Sequence, residues 1–201
     1  MSKVIIAAVF LFTGLSLKSQ QLINAGFETW IDSSKHLRPF YWSVDMDAAL
    51  WHNPSDKIKK GKSALILSTW YSYVEGHLFY GSHKDPQEEN WTEYTVPFTG
   101  RPVRLTGWYR YTHPVMPTDS AGGQIILKDI NGDTLAYGAV LLDTTMNWTP
   151  FEIPLIYHYV KKAAYIAIHF TSRENGSAMN DDSYPNRLYL DNFKLQYKKQ
   201  D

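Results

Sequence analysis

The chain has no cysteine among its 201 residues. No disulfide framework braces it, no thiol is available as nucleophile or metal ligand, and a cysteine-linked lipid anchor is excluded. It has no formal net charge, with 20 basic residues set against 20 acidic ones. That balance argues against nucleic acid or an anionic membrane surface as the main partner. It has no long segment of 3.6-residue period, so no substantial helix is expected, and no internal repeat. There is no G-x-S-x-G nucleophile elbow. The GKS at 61–63 is not a phosphate loop, because Asp56 stands where that motif needs glycine. The seven histidines are scattered, with none at H-x-x-x-H spacing, which argues against zinc. The one long apolar run, Val4 to Leu17, is too short for a comfortable membrane span. With Lys3 before it and Ser19 after it, residues 1–20 read as a secretory signal peptide. The mature chain is then residues 21–201. It is expected to be one secreted domain, periplasmic or at the cell surface, and not inserted in a membrane.

A domain of this length buries about 70% of the surface its unfolded chain exposes, so it needs no disulfide. What the chain does have is aromatic residues, 15% of the total, with 14 Tyr and 7 Trp. Aromatic side chains pack well on a pleated sheet. Short apolar segments recur between turn residues: 23–30, 63–69, 71–79, 124–130, 133–142, 149–157, 163–171 and 188–197. Asn131-Gly132 between two of them is a strong hairpin signal. In 149–157, Pro150 and Pro154 are compatible only with an edge or interrupted strand. In 163–171, Ile166, Ile168 and Phe170 share the inward phase, with Tyr165, Ala167 and His169 outward. These patterns predict an all-β fold, a two-sheet jelly-roll sandwich.

The organising stretch is RPVRLTGWYRYTHP, Arg101 to Pro114. Val103, Leu105, Gly107, Tyr109 and Tyr111 fall on one face; Arg104, Thr106, Trp108 and Arg110 fall on the other. A Trp between two Arg on the polar face of a strand is a flat apolar plate with donors beside it, the equipment of a sugar site. Ordinary core packing of Trp108 under a covering layer is the alternative. Segment 71–79 has a face of the same character, made of Tyr71, Tyr73, Glu75 and His77. If the two strands are neighbours, the faces form one platform. Trp51, Trp91 and Trp148 lie in loop-like contexts and could line a groove beside it. Trp30 and Trp42 are expected in the core. In the last strand the alternation slips at Asp191-Asn192, which predicts a β-bulge.

The Arg101–Pro114 strand resembles the central motif of the carbohydrate metabolism domain family, PCMD, of secreted proteins in Bacteroidetes-type bacteria. NAGFETW, GKSALILST, PLIYHY and LYLDNFKL are similar to the family's other segments and come in the same order. The resemblance spans nearly the whole mature chain and implies a galactose-binding-like jelly roll. It also implies likeness to jelly-roll carbohydrate-binding modules, many of which hold a structural calcium between their first and last strands. The positions similar to such a site are Glu28, Asp191 and a main-chain carbonyl near Lys62. Oxygen donors of this mixed kind suit Ca²⁺. The alternative is that Asp191 accepts backbone hydrogen bonds at the bulge while Glu28 pairs with a surface lysine.

The reading is a secreted, non-catalytic carbohydrate-binding protein. Its ligand is a polysaccharide or oligosaccharide bound through Trp108, Arg104, Arg110, Tyr71, Tyr73, Glu75 and His77, with a structural calcium bracing the termini. Two alternatives stand beside it: a glycan-degrading hydrolase or lyase on the same fold, and a surface adhesion module working in a protein complex.

Overall fold

A computed structural model of the chain describes residues 19–33, 36–44, 65–68, 76–81, 95–112, 120–175 and 186–198. Residues 1–18, which carry most of the expected signal peptide, lie outside these, as do Tyr71, Tyr73, Glu75 and Lys62. Among the described residues there is no helix. The strands are β1 (Trp30–Ser33), β2 (His36–Pro39), β3 (Trp42–Val44), β4 (Leu65–Ser68), β5 (His77–Tyr80), β6 (Val96–Pro97), β7 (Arg104–Thr112), β8 (Ser120–Lys128), β9 (Thr134–Leu142), β10 (Thr145–Pro154), β11 (Ile156–Tyr157), β12 (Tyr165–Asn175) and β13 (Arg187–Gln196).

Two antiparallel sheets stack into a sandwich. The smaller runs β10-β7-β13-β4; the larger runs β11-β9-β8-β12-β5-β3, with β6 also pairing β12. A separate hairpin joins β1 to β2. Burial follows the alternation read from sequence. Along β7, Leu105, Gly107, Tyr109 and Tyr111 are buried while the residues between them are not. Along β12 it does not: Ile166, Ile168 and Phe170 are in the core, but Ala167 and His169, read as outward, are buried as well.

Phe193 lies at the centre of that core. Its ring meets Phe27 at 5.3 Å, Trp42 at 5.6 Å, Phe151 at 5.5 Å and Phe170 at 4.9 Å. Phe170 comes from the large sheet and Phe193 from the small one, so these rings join the layers. Gly107 makes room for them: a Cβ there would sit 2.7 Å from carbons of both Phe151 and Phe193. Trp42 is fully buried, as expected, and Trp30 packs partly buried against the core.

The hairpin at Asn131-Gly132 forms between β8 and β9. Gly132 takes φ 86, and Asp129 Oδ1 accepts the backbone N–H of Asn131 at 2.9 Å and of Asp133 at 3.0 Å. The proline-bearing segment is both an edge and an interruption. β10 is an edge of the small sheet, and beyond Pro154 the chain passes to the large sheet as β11. Segment 23–30, expected as a strand, is mostly a turn. Asn24 and Phe27 take positive φ, and the Asn24 amide bonds Thr29 N, Thr29 O and Phe40 O. A side chain that satisfies the backbone locally competes with a sheet ladder.

The N-terminal segment is tied to the last strand. Gln21 Nε2 donates to Leu195 O at 3.0 Å and Gln21 Oε1 accepts from Leu195 N at 3.1 Å. The Tyr197 hydroxyl donates to the Gln20 carbonyl.

Candidate functional site

The outer face of the small sheet is built by β7 and its neighbours. Each residue there is set by the pleat, because Leu105, Gly107 and Tyr109 are committed to the core. Tyr189 of β13 lies opposite Arg110, Asp191 opposite Trp108, and Lys194 opposite Thr106. From β10, Pro150 lies opposite Trp108 and Glu152 opposite Thr106. The Arg110 guanidinium carbon sits 3.9 Å from the centre of the Tyr189 ring and 5.8 Å from that of Trp148. Trp148 meets Tyr189 edge-on at 6.3 Å. Trp108 is half-buried on the face away from the core. This face therefore gathers Trp108, Arg110, Trp148 and Tyr189, a cation between aromatic plates. Arg104 Nη1 donates to Glu152 Oε1 at 2.8 Å, an exposed pair worth little to stability. Tyr189 carried no separate signal in the sequence; only strand pairing places it.

His77 is elsewhere. β5 belongs to the large sheet and β7 to the small one, so His77 and Trp108 lie on different sheets. On the large sheet's outer face, His77, Phe79 and His169 stack. Ring centres are 4.8 Å apart for Phe79 and His169, and 5.2 Å for His77 and His169. His77 Nδ1 and His169 Nε2 are 3.0 Å apart, one donating to the other. Gln124 is the register partner of His169 on β8. His169 shares the outward phase, as read from sequence, yet is only 7% exposed. Burial, and secondarily the neighbouring His77, push its pKa down to about 3. It is held as neutral imidazole.

A third group lies where the N-terminal turn meets β13. Asp191 is fully buried. Its Oδ1 accepts the N–H of Asn192 at 2.6 Å, and its Oδ2 has no hydrogen-bond partner. Burial raises its pKa to about 7; the Asn192 bond opposes this and the Glu28 carboxylate adds to it. The predicted bulge is present: Asn192 takes φ 55 and the register shifts between Asp191 and Lys194. A Cβ on Gly26 would lie 3.8 Å from Glu28 Cγ and 4.0 Å from both Asp191 Oδ1 and Asn192 Oδ1. The Asp191 carboxylate, the Asn192 amide oxygen and the Glu28 side chain thus lie around Gly26, with one buried oxygen unsatisfied. Such a donor set suits a hard cation. Among the described residues no three His, Cys, Asp or Glu side chains cluster, so an ion here would draw further ligands from amide or main-chain oxygens.

No family model matches the chain, and no curated protein matches it. Solved structures do. A candidate glycoside hydrolase from Bacteroides thetaiotaomicron VPI-5482 is similar over 88% of this chain and 71% of its own, at 17% identity and TM-score 0.62. The module TmCBM61, solved with β-1,4-galactotriose, is similar over 90% of this chain and all of its own, at 17% identity and TM-score 0.50. The chain has the jelly-roll fold of carbohydrate-binding modules. A part of the arabinose-bound α-L-arabinofuranosidase MgGH51 has it too, matching 89% of this chain and 26% of that one, at 13% identity and TM-score 0.54.

Proposed function

We propose that this chain is a secreted, non-catalytic carbohydrate-binding protein of the PCMD type. It holds a polysaccharide or oligosaccharide on the outer face of the small sheet. The observation that carries the reading is the Arg110 guanidinium stacked on Tyr189 and flanked by Trp148, beside half-buried Trp108. Sugars present C–H faces to aromatic plates and hydroxyls to polar neighbours. Stacks of this sort contribute roughly 0.5–1.5 kcal/mol each, by analogy with aromatic pairs. Arg104 adds a donor at one end. His77 lies on the large sheet, apart from this face; Tyr71, Tyr73 and Glu75 lie outside the described residues.

The non-catalytic reading rests on access. The carboxylate nearest Trp108 in register is Asp191, which is fully buried, and Glu152 is engaged by Arg104. A glycosidase needs two carboxylates that reach the same bond from either side. The raised pKa of Asp191 instead fits a ligand waiting for a cation. Glu28, Asp191 and a carbonyl near Lys62 are proposed to hold a structural calcium, which neutralises the buried charge and clips the N-terminal turn to the last strand.

The test is a glycan-array screen of residues 21–201 beside Trp108→Ala, with reducing-end release assayed in parallel. Binding to a defined glycan class that the variant loses, without release, is the expected result. Release of reducing ends would move the reading to a hydrolase. No binding by either protein would favour the adhesion-module reading.

A further inference from the structure

The edge strand β10 carries extra chain beside the platform. Thr145 lies opposite Tyr111 of β7 and Thr149 opposite Tyr109, so β10 advances four residues where β7 advances two. The two additional residues form a bulge over 146–148, in a strand that pairs regularly from Thr149 to Pro154. Two hydroxyls fasten it. Thr145 Oγ1 and Thr149 Oγ1 each donate to the Asn147 carbonyl at 3.1 Å. Thr145 Oγ1 also accepts the Asn147 N–H at 3.3 Å, and the two hydroxyl oxygens lie 3.3 Å apart. A carbonyl offers two lone pairs and each hydroxyl one proton, so the set closes on itself. Such local bonds replace the ladder bonds that a bulge gives up. Both threonines are half-buried and belong to the inward phase, opposite buried tyrosines. On the outer side the bulge presents Trp148, edge-on to Tyr189 at 6.3 Å, with the Arg110 guanidinium carbon 5.8 Å from its ring centre.

We infer that Thr145 and Thr149 are positioning residues of the binding face, which hold Trp148 in place before a glycan arrives. The inference rests on the carbohydrate reading above and names the device that shapes its platform. In a regular antiparallel pair one residue of β10 would stand opposite Arg110, at the strand spacing of about 4.8 Å. Residues 146–148 occupy that stretch instead. The added length lets the indole reach across β7 to Tyr189 on β13, two strands away in the order β10-β7-β13. A bulge that re-aims a side chain in this way is a built feature of a sheet. Tyr189 is only 7% exposed and lies beneath the Arg110 guanidinium at 3.9 Å. It is the support, while half-buried Trp148 and Trp108 keep part of their surface open. An indole on an unfastened bulge would have to be ordered by the ligand, and that ordering would lower affinity. The threonine pair fixes the backbone on both sides of Trp148 and removes that cost.

The experiment labels the protein with 5-fluorotryptophan and follows the fluorine resonances, with Trp148→Phe assigning that of Trp148. The proteins are the native chain, the pair Thr145→Val with Thr149→Val, and the pair Thr145→Ser with Thr149→Ser. Valine keeps the shape and removes the hydroxyl; serine keeps the hydroxyl. Calorimetry with β-1,4-galactan, xylan and mixed-linkage β-glucan is run beside the spectra. The Trp148 resonance is expected to shift or broaden in the valine pair and to return in the serine pair, with the core Trp42 resonance unmoved in both. Affinity for the probes that the native chain binds should fall about fivefold in the valine pair and return to within about twofold in the serine pair. An unmoved Trp148 resonance in the valine pair would overturn the positioning role, and so would a moved resonance with unchanged affinity. Equal losses in the valine and serine pairs would overturn it too. Binding of no probe by the native chain would count against the carbohydrate reading alone, and the fastening of Trp148 would then be decided by its resonance.

Discussion

The His77 ring donates to, or accepts from, the His169 ring at 3.0 Å, although 92 residues separate them in sequence. Antiparallel pairing of β5 with β12 makes the meeting. His169 is held neutral down to a pKa of about 3, against an ordinary value of 6.5. Once unfolded, it binds a proton that the folded form refuses. Its contribution to stability is therefore fully present above pH 6.5 and is lost as pH falls from there toward 3, by up to about 1.4 kcal/mol per pH unit for one proton. Urea midpoints measured from pH 4 to 8 should fall more steeply for the native chain than for His169→Gln. Parallel curves would show that this imidazole does not govern the acid limb.

Removing the buried carboxylate tests the cation site. In chelator, Asp191→Asn should be as stable as the native chain or more so, because it replaces a buried carboxyl, whose charged form burial disfavours, by a neutral amide of the same shape. In calcium the order should reverse, with the native melting temperature rising and the variant's unchanged. At a hundredfold excess of calcium over its dissociation constant the gain is about 2.7 kcal/mol. An equal response of both proteins to calcium would remove Asp191 from the ligand set.

The sheet switch predicts an intolerant glycine. A Cβ on Gly138 of β9 would run into the Pro154 carbonyl oxygen and lie 2.8 Å from Ile153 Cγ2, where β10 gives way to β11. Backbone cannot step aside as a flexible side chain can. Gly138→Ala should cost about 2 kcal/mol or more in denaturant unfolding. A cost under about 0.5 kcal/mol would mean the crossing is looser than the geometry describes.

Arg101 holds the loop after β11. Its guanidinium lies 4.0 Å above the Tyr157 ring and donates to the carbonyls of Tyr159 and Lys161, each at 3.2 Å. Arg101→Ala should destabilise the fold by about 1 kcal/mol. The more direct sign is faster amide exchange confined to residues 158–162. Unchanged exchange there would show that the loop is held by other contacts.

The strand alternation of β7, the inward phase of β12, the Asn131-Gly132 hairpin and the bulge at Asp191-Asn192 were all legible in the sequence. Each is decided by neighbours a few residues away. Membership of a sheet was not legible. The segments containing His77 and Trp108 both read as strands with an aromatic, polar face, but nothing local states that β5 pairs β12 and β3 while β7 pairs β10 and β13. His77 and Trp108 therefore stand on different sheets. Arg110, Trp108 and Trp148 could be nominated from composition. Tyr189 and His169 could not, because they acquire their roles from partners that the pleat brings across distant strands. The expected strand at 23–30 gave way because Asn24 offers the backbone a closer set of partners.

The two Gln21 bonds to Leu195 and the Tyr197 hydroxyl on Gln20 have a mechanical consequence. They hold residues 20–21 and 195–197 side by side. Tension applied between residues 20 and 197 would pull first on these few side-chain bonds and would reach the aromatic core only after they parted. The clasp would act as a fuse. Under modest load it could open and close again while the sandwich, and the outer face of its small sheet, kept their shape.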